Sequence, residues 1–194
     1  MNNTNCDKLN VVFDVDGVIV DINKKICKKH NIDISKIVKH NIRTCEGLTE
    51  TEKDTLISEY GSHDLYDDIE LEDGADEIME LAPKCNLLIY SVCFNRGISL
   101  SKYRMLTERL NIAPENIELL IKDKDGTKPA HGKADIIVED CLDNIINYTK
   151  DTVKILLNKP YNQTDLDDEY GIIRVANIRQ AIKIIKSKLS DAEQ

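Results

Sequence analysis

Asp14 and Asp16, one residue apart, are the first residues of the chain whose type and spacing could do chemistry. They follow the apolar residues 11–13 in the stretch NVVFDVDGVIVD. Because side chains alternate along a strand, both carboxylates point to one face. At about 4 Å, two unit charges repel by roughly 4 kcal/mol in a protein-like dielectric. The pair therefore needs either a compensating positive charge or, as in an Asx turn, backbone N–H groups that the carboxylates cap.

Further polar residues follow other apolar runs. Ser91 ends LLIYS, while Glu139, Asp140 and Asn144 lie in IIVEDCLDN. Between these runs, IKDKDGTKPAHGK supplies lysines in a loop. A serine after a strand is commonly only a turn residue. Carboxylates, a hydroxyl and a lysine would nevertheless meet in one crevice if the strands are parallel, since ligands bind outside the carboxyl ends of such strands.

The elements that must position these residues follow from the apolar pattern. Short apolar runs, mostly rich in branched residues, predict strands buried on both faces at 9–15, 86–92, 117–121, 135–139, 153–158 and 171–175. Helical patterns separate them at about 75–82, 98–110, 141–149 and 177–188. This alternation predicts an α/β fold with a doubly wound, Rossmann-like parallel sheet.

The alternation stops between residues 23 and 67, where no strand is predicted. Helix-like segments at 23–30, 33–40 and 49–58 indicate a small helical cap inserted after the first strand. Thr49 and Glu52 form a capping-box pattern at the start of the last segment. We predict an α/β core of residues 1–20 and 70–194 and a helical cap of residues 21–69 over the crevice.

Composition narrows the function classes. The formal net charge of −9 disfavours a polymeric nucleic-acid partner, which usually meets a basic surface. No stretch approaches the roughly 20 apolar residues of a membrane span, and the polar N-terminus lacks the apolar core of a signal peptide. The six cysteines show neither a CxxC pair nor zinc-ligand spacing, which indicates a reduced, cytoplasmic protein. The sequence leaves the oligomeric state open.

The ordered motifs resemble a known family. FDVDGVIVD, LLIYS, the loop lysine and IIVEDCLDN are similar to the four motifs of the haloacid dehalogenase (HAD) superfamily, whose members are mostly phosphatases. The resemblance covers about residues 9–175. More narrowly, LLNKPYNQ at 156–163 followed by GIIRVANIRQAI resembles the end of the 5′(3′)-deoxyribonucleotidase family. A proline-initiated turn alone would explain Pro160 but not the whole string.

The resemblance implies Mg²⁺ as cofactor, held by the Asp14 carboxylate, the Asp16 backbone carbonyl and the Asp140 carboxylate. It implies that Asp14 is the nucleophile and forms an aspartyl-phosphate. Asp16 would donate a proton to the leaving oxygen and then take one from the attacking water. Ser91 would hydrogen-bond a phosphate oxygen, and a lysine would neutralise charge on the transferring group.

Lys128 is the better match to the lysine of the deoxyribonucleotidases, with Lys133 as the alternative. Glu139 and Asn144 are expected to orient Asp140 or a metal-bound water. Glu139 departs from the Asp-Asp pair that is commonest in nucleotidases. Whether it touches the metal is therefore left open.

The base pocket is the part of the resemblance that this sequence matches least. Relatives that bind pyrimidine nucleotides stack the base on aromatic residues near the first motif and in the cap. This chain has no Trp and only two Phe, and Ile22 stands where an aromatic residue often follows the first motif. Phe94 and Tyr66 are the candidates for a base pocket, with a place in the core as the alternative for each.

The predicted protein is a Mg²⁺-dependent phosphomonoesterase of nucleotide metabolism that acts on nucleoside, especially deoxyribonucleoside, monophosphates. The alternative enzyme performs the same chemistry on another small phosphate ester or on a nucleic-acid 3′-phosphate end. A non-catalytic HAD-like module that binds a phosphorylated ligand is the alternative from another class. The intact Asp14, Asp16 and Asp140 argue against that module, which needs neither nucleophile nor acid.

Overall fold

One parallel sheet organises the molecule. The computed structural model describes residues 8–121 and 128–192. The strands are Asn10–Phe13 (β1), Asn86–Cys93 (β2), Ile117–Ile121 (β3), Ile136–Glu139 (β4), Val153–Leu157 (β5) and Ile172–Val175 (β6). They pair in the order β3-β2-β1-β4-β5-β6, and every pairing is parallel. The six predicted strands and the doubly wound α/β fold are confirmed.

The centre of the sheet is buried on both faces, which explains why its strands have continuous apolar sequences. Val11 and Phe13 of β1 belong to the larger apolar cluster, whereas Val12 belongs to a second cluster. All three residues are fully buried. Alternation along the strand therefore sends neighbouring side chains into two separate apolar layers, as in other parallel sheets.

Outside the 23–67 region, every predicted helical segment is present, although two differ in type or length, and one helix, Asp167–Tyr170, corresponds to no predicted segment. The α-helices there are Arg96–Arg109 (α3), Leu142–Ile145 (α4), Asp167–Tyr170 (α5) and Ile178–Ala192 (α6). The segment predicted at 75–82 is a 3₁₀ helix, Ala75–Leu81, which packs against α6. The segment predicted at 141–149 is helical only over the four residues of α4.

Between β1 and β2 the chain is largely helical, and the described residues 23–67 contain no strand. Helices Ile22–His30 (α1) and Glu50–Tyr60 (α2) confirm two of the three predicted segments. The prediction of a helix at 33–40 is wrong, since only the 3₁₀ turn Ile34–Lys36 forms there. Two β-branched residues, Ile37 and Val38, follow that turn, and such residues favour helices weakly.

The capping box at Thr49 is present. The Thr49 Oγ1 atom accepts the backbone N–H of Glu52 at 3.2 Å, and the Glu52 carboxylate accepts the backbone N–H of Thr49 at 2.7 Å. The two ends of the helical segment lie side by side, because Val20 bridges Leu71 in antiparallel fashion. The division of the chain into a core and a cap at residues 20 and 70 stays a prediction.

Two further expectations concern membrane-spanning segments and the state of the cysteines. Among the described residues, no helix has both the length and the apolar character that crossing a membrane requires. Five cysteines lie in the described part, and all five are free and buried. The remaining one, Cys6, lies outside it.

Candidate active site

The predicted site residues meet where the strand order reverses. β1 and β4 are neighbours at the centre of the sheet, and the chain winds away from them in opposite directions. A cavity of about 470 Å³ opens at the carboxyl ends of these strands. Seven predicted site residues line it: Asp14, Asp16, Ser91, Phe94, Lys128, Asp140 and Asn144.

Gly17 lets the chain turn away from the cavity after the two aspartates. Its φ is +76°, a left-handed conformation that other residues rarely adopt. A Cβ atom at this position would lie 1.9 Å from Oδ2 of Asp140 and 2.8 Å from the hydroxyl of Tyr161. Glycine is therefore required at position 17 for two reasons: the left-handed turn and the close approach of Asp140.

Lys128 lies between two acidic side chains. Its Nζ atom is 2.9 Å from Oδ1 of Asp14 and 2.8 Å from Oε1 of Glu139, and all three residues are buried. The alternative, Lys133, instead lines a separate cavity with Asn10 and Asn86 at the amino ends of β1 and β2. Of the two candidates, the structure thus brings only Lys128 to Asp14.

Asp16 is held by two groups from outside the strand ends. Its Oδ1 accepts a hydrogen bond from the Tyr66 hydroxyl at 2.6 Å, and its Oδ2 pairs with the Lys102 ammonium at 2.8 Å. Lys102 also donates to the Ser91 hydroxyl at 2.9 Å and to the carbonyl of Val92 at 3.0 Å. One fully buried lysine thereby fixes both Asp16 and Ser91.

Sequence reasoning missed Lys102, although α3 carries a signal for it. Ile98 and Leu106 are buried and lie four residues before and after Lys102, so all three share one face of the helix. A lysine in the middle of an apolar stripe indicates a buried ion pair. The partner, Asp16, lies on a different element.

The two aromatic candidates lie in different environments. The Tyr66 side chain is 1% exposed and is absent from the cavity lining, so its ring offers no free face to a base. Its hydroxyl instead positions Asp16. Phe94 is 66% exposed and does line the cavity. Of the two, only Phe94 lies where a ligand could contact it.

Both carboxylate oxygens of Glu139 already have two polar partners each. Its Oε2 accepts the backbone N–H groups of Asp140 and Cys141 at 3.0 and 3.1 Å. Its Oε1 faces Lys128 and also accepts from the Asn144 amide at 3.0 Å. Asn144 thus contacts Glu139, and Glu139 in turn contacts the backbone of Asp140.

Burial and neighbouring charges shift the pKa values of these carboxyls in opposite directions. Burial alone would raise the pKa of Asp14, but the ammonium groups of Lys128 and Lys102 more than offset it, and the pKa lies below its usual value. Burial, followed by the charges of Glu139 and Asp14, raises the pKa of Asp140 well above its usual value. Burial likewise raises the pKa of Glu139, and Lys128 opposes that rise only in part.

The donor set fits a divalent cation. One carboxylate oxygen each from Asp14, Glu139 and Asp140 lie within 4.8 Å of one another, and all three residues are buried. Oδ1 of Asp14 is buried and lies 2.9 Å from the Lys128 ammonium. With Asp16, the site contains four carboxyl groups against two ammonium groups, a formal net charge of −2. Hard oxygen ligands and this charge suit Mg²⁺.

A family model matches almost the whole chain. The family described as 5′ nucleotidase, deoxy (pyrimidine), cytosolic type C protein matches residues 8–190. A search of the curated proteins finds no match.

Solved structures resemble the chain in fold. A hydrolase from Pseudomonas syringae superposes with a TM-score of 0.51 at 14% identity, covering 88% of this chain and 94% of that one. A HAD-superfamily hydrolase from Ehrlichia chaffeensis gives 0.51 at 13% identity, covering 97% and 99%. A Bacillus subtilis protein described as a HAD hydrolase, solved with magnesium bound, gives 0.50 at 16% identity, covering 93% and 99%. At such identities the likeness shows the fold alone, here that of HAD hydrolases.

Proposed function

This chain belongs to the 5′ nucleotidase, deoxy (pyrimidine), cytosolic type C family and is a phosphatase, and we propose that its substrates are nucleoside monophosphates, especially deoxyribonucleoside monophosphates. We further propose that it requires Mg²⁺, works through an aspartyl-phosphate and acts in the cytoplasm. The observation that carries the proposal is the pairing of Asp14 with Lys128, which both line the cavity.

Asp14 has the environment that a nucleophile needs. Its lowered pKa keeps the carboxylate ionised, and an ionised oxygen is the form that attacks phosphorus. Lys128, at 2.9 Å, is placed to stabilise the charge that spreads over the phosphoryl oxygens during transfer. The attack forms the bond between the Asp14 oxygen and phosphorus and breaks the bond between phosphorus and the nucleoside oxygen.

Asp16 supplies the proton chemistry in this proposal. With substrate bound and its carboxyl protonated, Asp16 donates that proton to the departing nucleoside oxygen, and it is protonated again when it removes a proton from the water that hydrolyses the aspartyl-phosphate. Its side chain is 28% exposed, more than that of Asp14, so water can reach it. Tyr66 and Lys102 fix its orientation, and Lys102 also holds the Ser91 hydroxyl that would bind a phosphate oxygen.

We propose that the carboxylates of Asp14 and Asp140 hold Mg²⁺, together with the backbone carbonyl of Asp16. When bound, the cation would offset the repulsion between a dianionic phosphate and this acidic cavity. Glu139 is a poorer candidate ligand because both of its oxygens already have two partners each. It orients the chain at Asp140 and keeps Lys128 next to Asp14.

Base recognition is proposed to involve the apolar part of the cavity. Phe94 and Ile22 both line it, and the exposed ring of Phe94 can stack on a pyrimidine. The volume of about 470 Å³ lies within the range of small-ligand sites.

The test is phosphate release from a panel of 5′- and 3′-(deoxy)nucleoside monophosphates, sugar phosphates and an aryl phosphate, with Mg²⁺ and with EDTA. We expect phosphate to be released from the nucleotides when Mg²⁺ is present, and we expect EDTA to abolish this release. Asp14→Asn should remove turnover and keep most of the Mg²⁺-dependent stabilisation, because Asp140 and the Asp16 carbonyl remain, whereas the exposed control Asp151→Asn should behave as wild type.

The other outcomes are equally informative. Release only from other esters would keep the phosphatase chemistry and reject the nucleotide substrate. Turnover by Asp14→Asn would reject Asp14 as nucleophile. No release from any ester would reject catalysis by this chain and favour a module that binds a phosphorylated ligand.

A further inference from the structure

The turn that follows β5 has a buried amide at its end. Asn162 is 3% exposed, and all four hydrogen-bonding positions of its side chain are used. Its Nδ2 donates to the backbone carbonyls of Asp140 and Leu157, each at 2.7 Å. Its Oδ1 accepts from the backbone N–H of Lys159 at 3.0 Å and from Arg174 at 2.8 Å. The amide thus ties the Asp140 backbone to β5 and β6.

The preceding residue, Tyr161, holds the side chain of the same aspartate. Its hydroxyl donates to Oδ2 of Asp140. The absence of a side chain at Gly17 makes room for this contact, since a Cβ atom there would meet both the carboxylate and the phenol. No hydrogen bond from a described residue reaches Oδ1 of Asp140, which leaves that oxygen for another ligand.

Arg174 anchors the turn from the neighbouring strand. Its guanidinium forms a two-pronged ion pair with Asp167, at 2.7 and 2.9 Å, and also donates to the backbone carbonyl of Asn162 at 3.1 Å. Paired donors of this kind fix geometry as well as charge. The strings KPYN and IIRV therefore form one connected network that ends on Asp140.

We propose that Tyr161 and Asn162 are positioning residues that hold the side chain and the backbone of Asp140, so that its free carboxylate oxygen faces the Mg²⁺ site. The inference rests on the proposed function, because it assigns these residues to the cation that the function requires. It gives the turn after β5 a role in metal affinity rather than in phosphate chemistry.

The first test compares Tyr161→Phe with Tyr103→Phe. Tyr103 lies on α3 away from the cavity, and its hydroxyl makes no hydrogen bond within the described residues. We expect Tyr161→Phe to raise the Mg²⁺ concentration for half-maximal phosphate release roughly 10-fold or more, as for other groups that orient metal ligands. kcat at saturating Mg²⁺ should change much less. The Mg²⁺ concentration that half-saturates the rise in melting temperature should increase by the same factor.

The second test compares Asn162→Ala with Asn158→Ala. Asn158 is exposed and also accepts a hydrogen bond from Arg174, but it does not contact Asp140. Only Asn162→Ala should weaken Mg²⁺ binding in the melting assay. The comparison of Asn162→Ala with Asn158→Ala tests the inference even if Tyr161→Phe does not fold.

The outcomes separate this inference from the proposed function. A wild-type phosphatase whose Mg²⁺ dependence is unchanged by Tyr161→Phe and Asn162→Ala would overturn the inference and leave the function standing. A wild-type chain that Mg²⁺ stabilises without phosphate release would reject the function, while the melting assay would still measure the effect of each variant. A wild-type melting temperature indifferent to Mg²⁺ would overturn the inference.

Discussion

Lys102 is a charged side chain with no exposure to solvent. Burying an ammonium group is costly unless it is paired and hydrogen-bonded, and here Asp16, Ser91 and the Val92 carbonyl supply three acceptors. Its ammonium also lies 5.1 Å from the centre of the Tyr66 ring. The residue joins the acid–base candidate to the phosphate-binding candidate.

Lys102→Met tests that connection. We expect an approximately 100-fold or greater loss of kcat/KM, or about 2.7 kcal/mol of transition-state stabilisation, because Asp16 and Ser91 lose their common anchor. The free energy of unfolding should also fall, by less than the roughly 3–5 kcal/mol of a fully buried broken pair, since Asp16 is partly exposed. Urea denaturation and steady-state kinetics measure the two effects.

The exposed Lys188→Met on α6 is the control and should match wild type in both assays. Wild-type kinetics in Lys102→Met would show that Asp16 and Ser91 are positioned without Lys102.

At the scale of elements, the apolar runs predicted all six strands because a parallel sheet covered on both faces requires continuous apolar sequence. The predicted helix at 33–40 failed because local propensity there is weak and the capping group of Asp33 supports only a short 3₁₀ turn. The roles of Lys102 and Tyr66 depend on contacts between distant elements. No pattern within one element could reveal their common partner, Asp16.

The turn from β1 into the helical segment depends on Gly17. Gly17→Ala should abolish measurable phosphatase activity, because the new Cβ displaces Asp140 or Tyr161. The left-handed backbone should add roughly 1–3 kcal/mol of destabilisation. Phosphate release and thermal unfolding report on the two effects separately.

Gly171→Ala is a matched control. Gly171 also has a left-handed φ, +64°, but no atom lies within 4 Å of its would-be Cβ. This variant should lose stability and keep activity. Equal loss of activity in both variants would show that backbone strain, not the approach of Asp140, makes glycine necessary at position 17.

At the scale of the whole molecule, the sequence predicted the fold class and a crevice that brings Asp14 and Asp140 together, while the choice of the lysine beside them needed the three-dimensional structure. Sequence order alone left Lys128 and Lys133 as alternatives, since both lie in one loop region. The sheet separates them, because Lys133 lies near the amino ends of the strands.

The buried thiols predict how stability responds to alkaline pH. Burial raises the pKa of Cys27 and of Cys85 to about 11 and that of Cys141 to about 12, from 9.0. The unfolded chain therefore loses these protons first. The resulting stability is complete below about pH 9 and is lost as pH rises through 11 to 12.

The melting temperature should fall as the pH is raised from 8 to 11. Iodoacetamide at pH 8 should label these three cysteines slowly in the folded protein and quickly once guanidinium has unfolded the chain. Mass spectrometry separates their labelling from that of Cys6. Rapid labelling of Cys27, Cys85 or Cys141 in the native protein would contradict the prediction.

The order in which the proposed site residues occur along the chain has a consequence for synthesis on the ribosome. Asp14 emerges first, Asp140 much later, and the turn that holds Asp140 needs Asn162 and, from β6, Arg174. A nascent chain therefore carries its proposed nucleophile for most of translation before the residues that hold Asp140 have been made. Under the proposed roles, activity begins only when β6 has joined the sheet, and translation that stops before β6 yields a chain without that anchor.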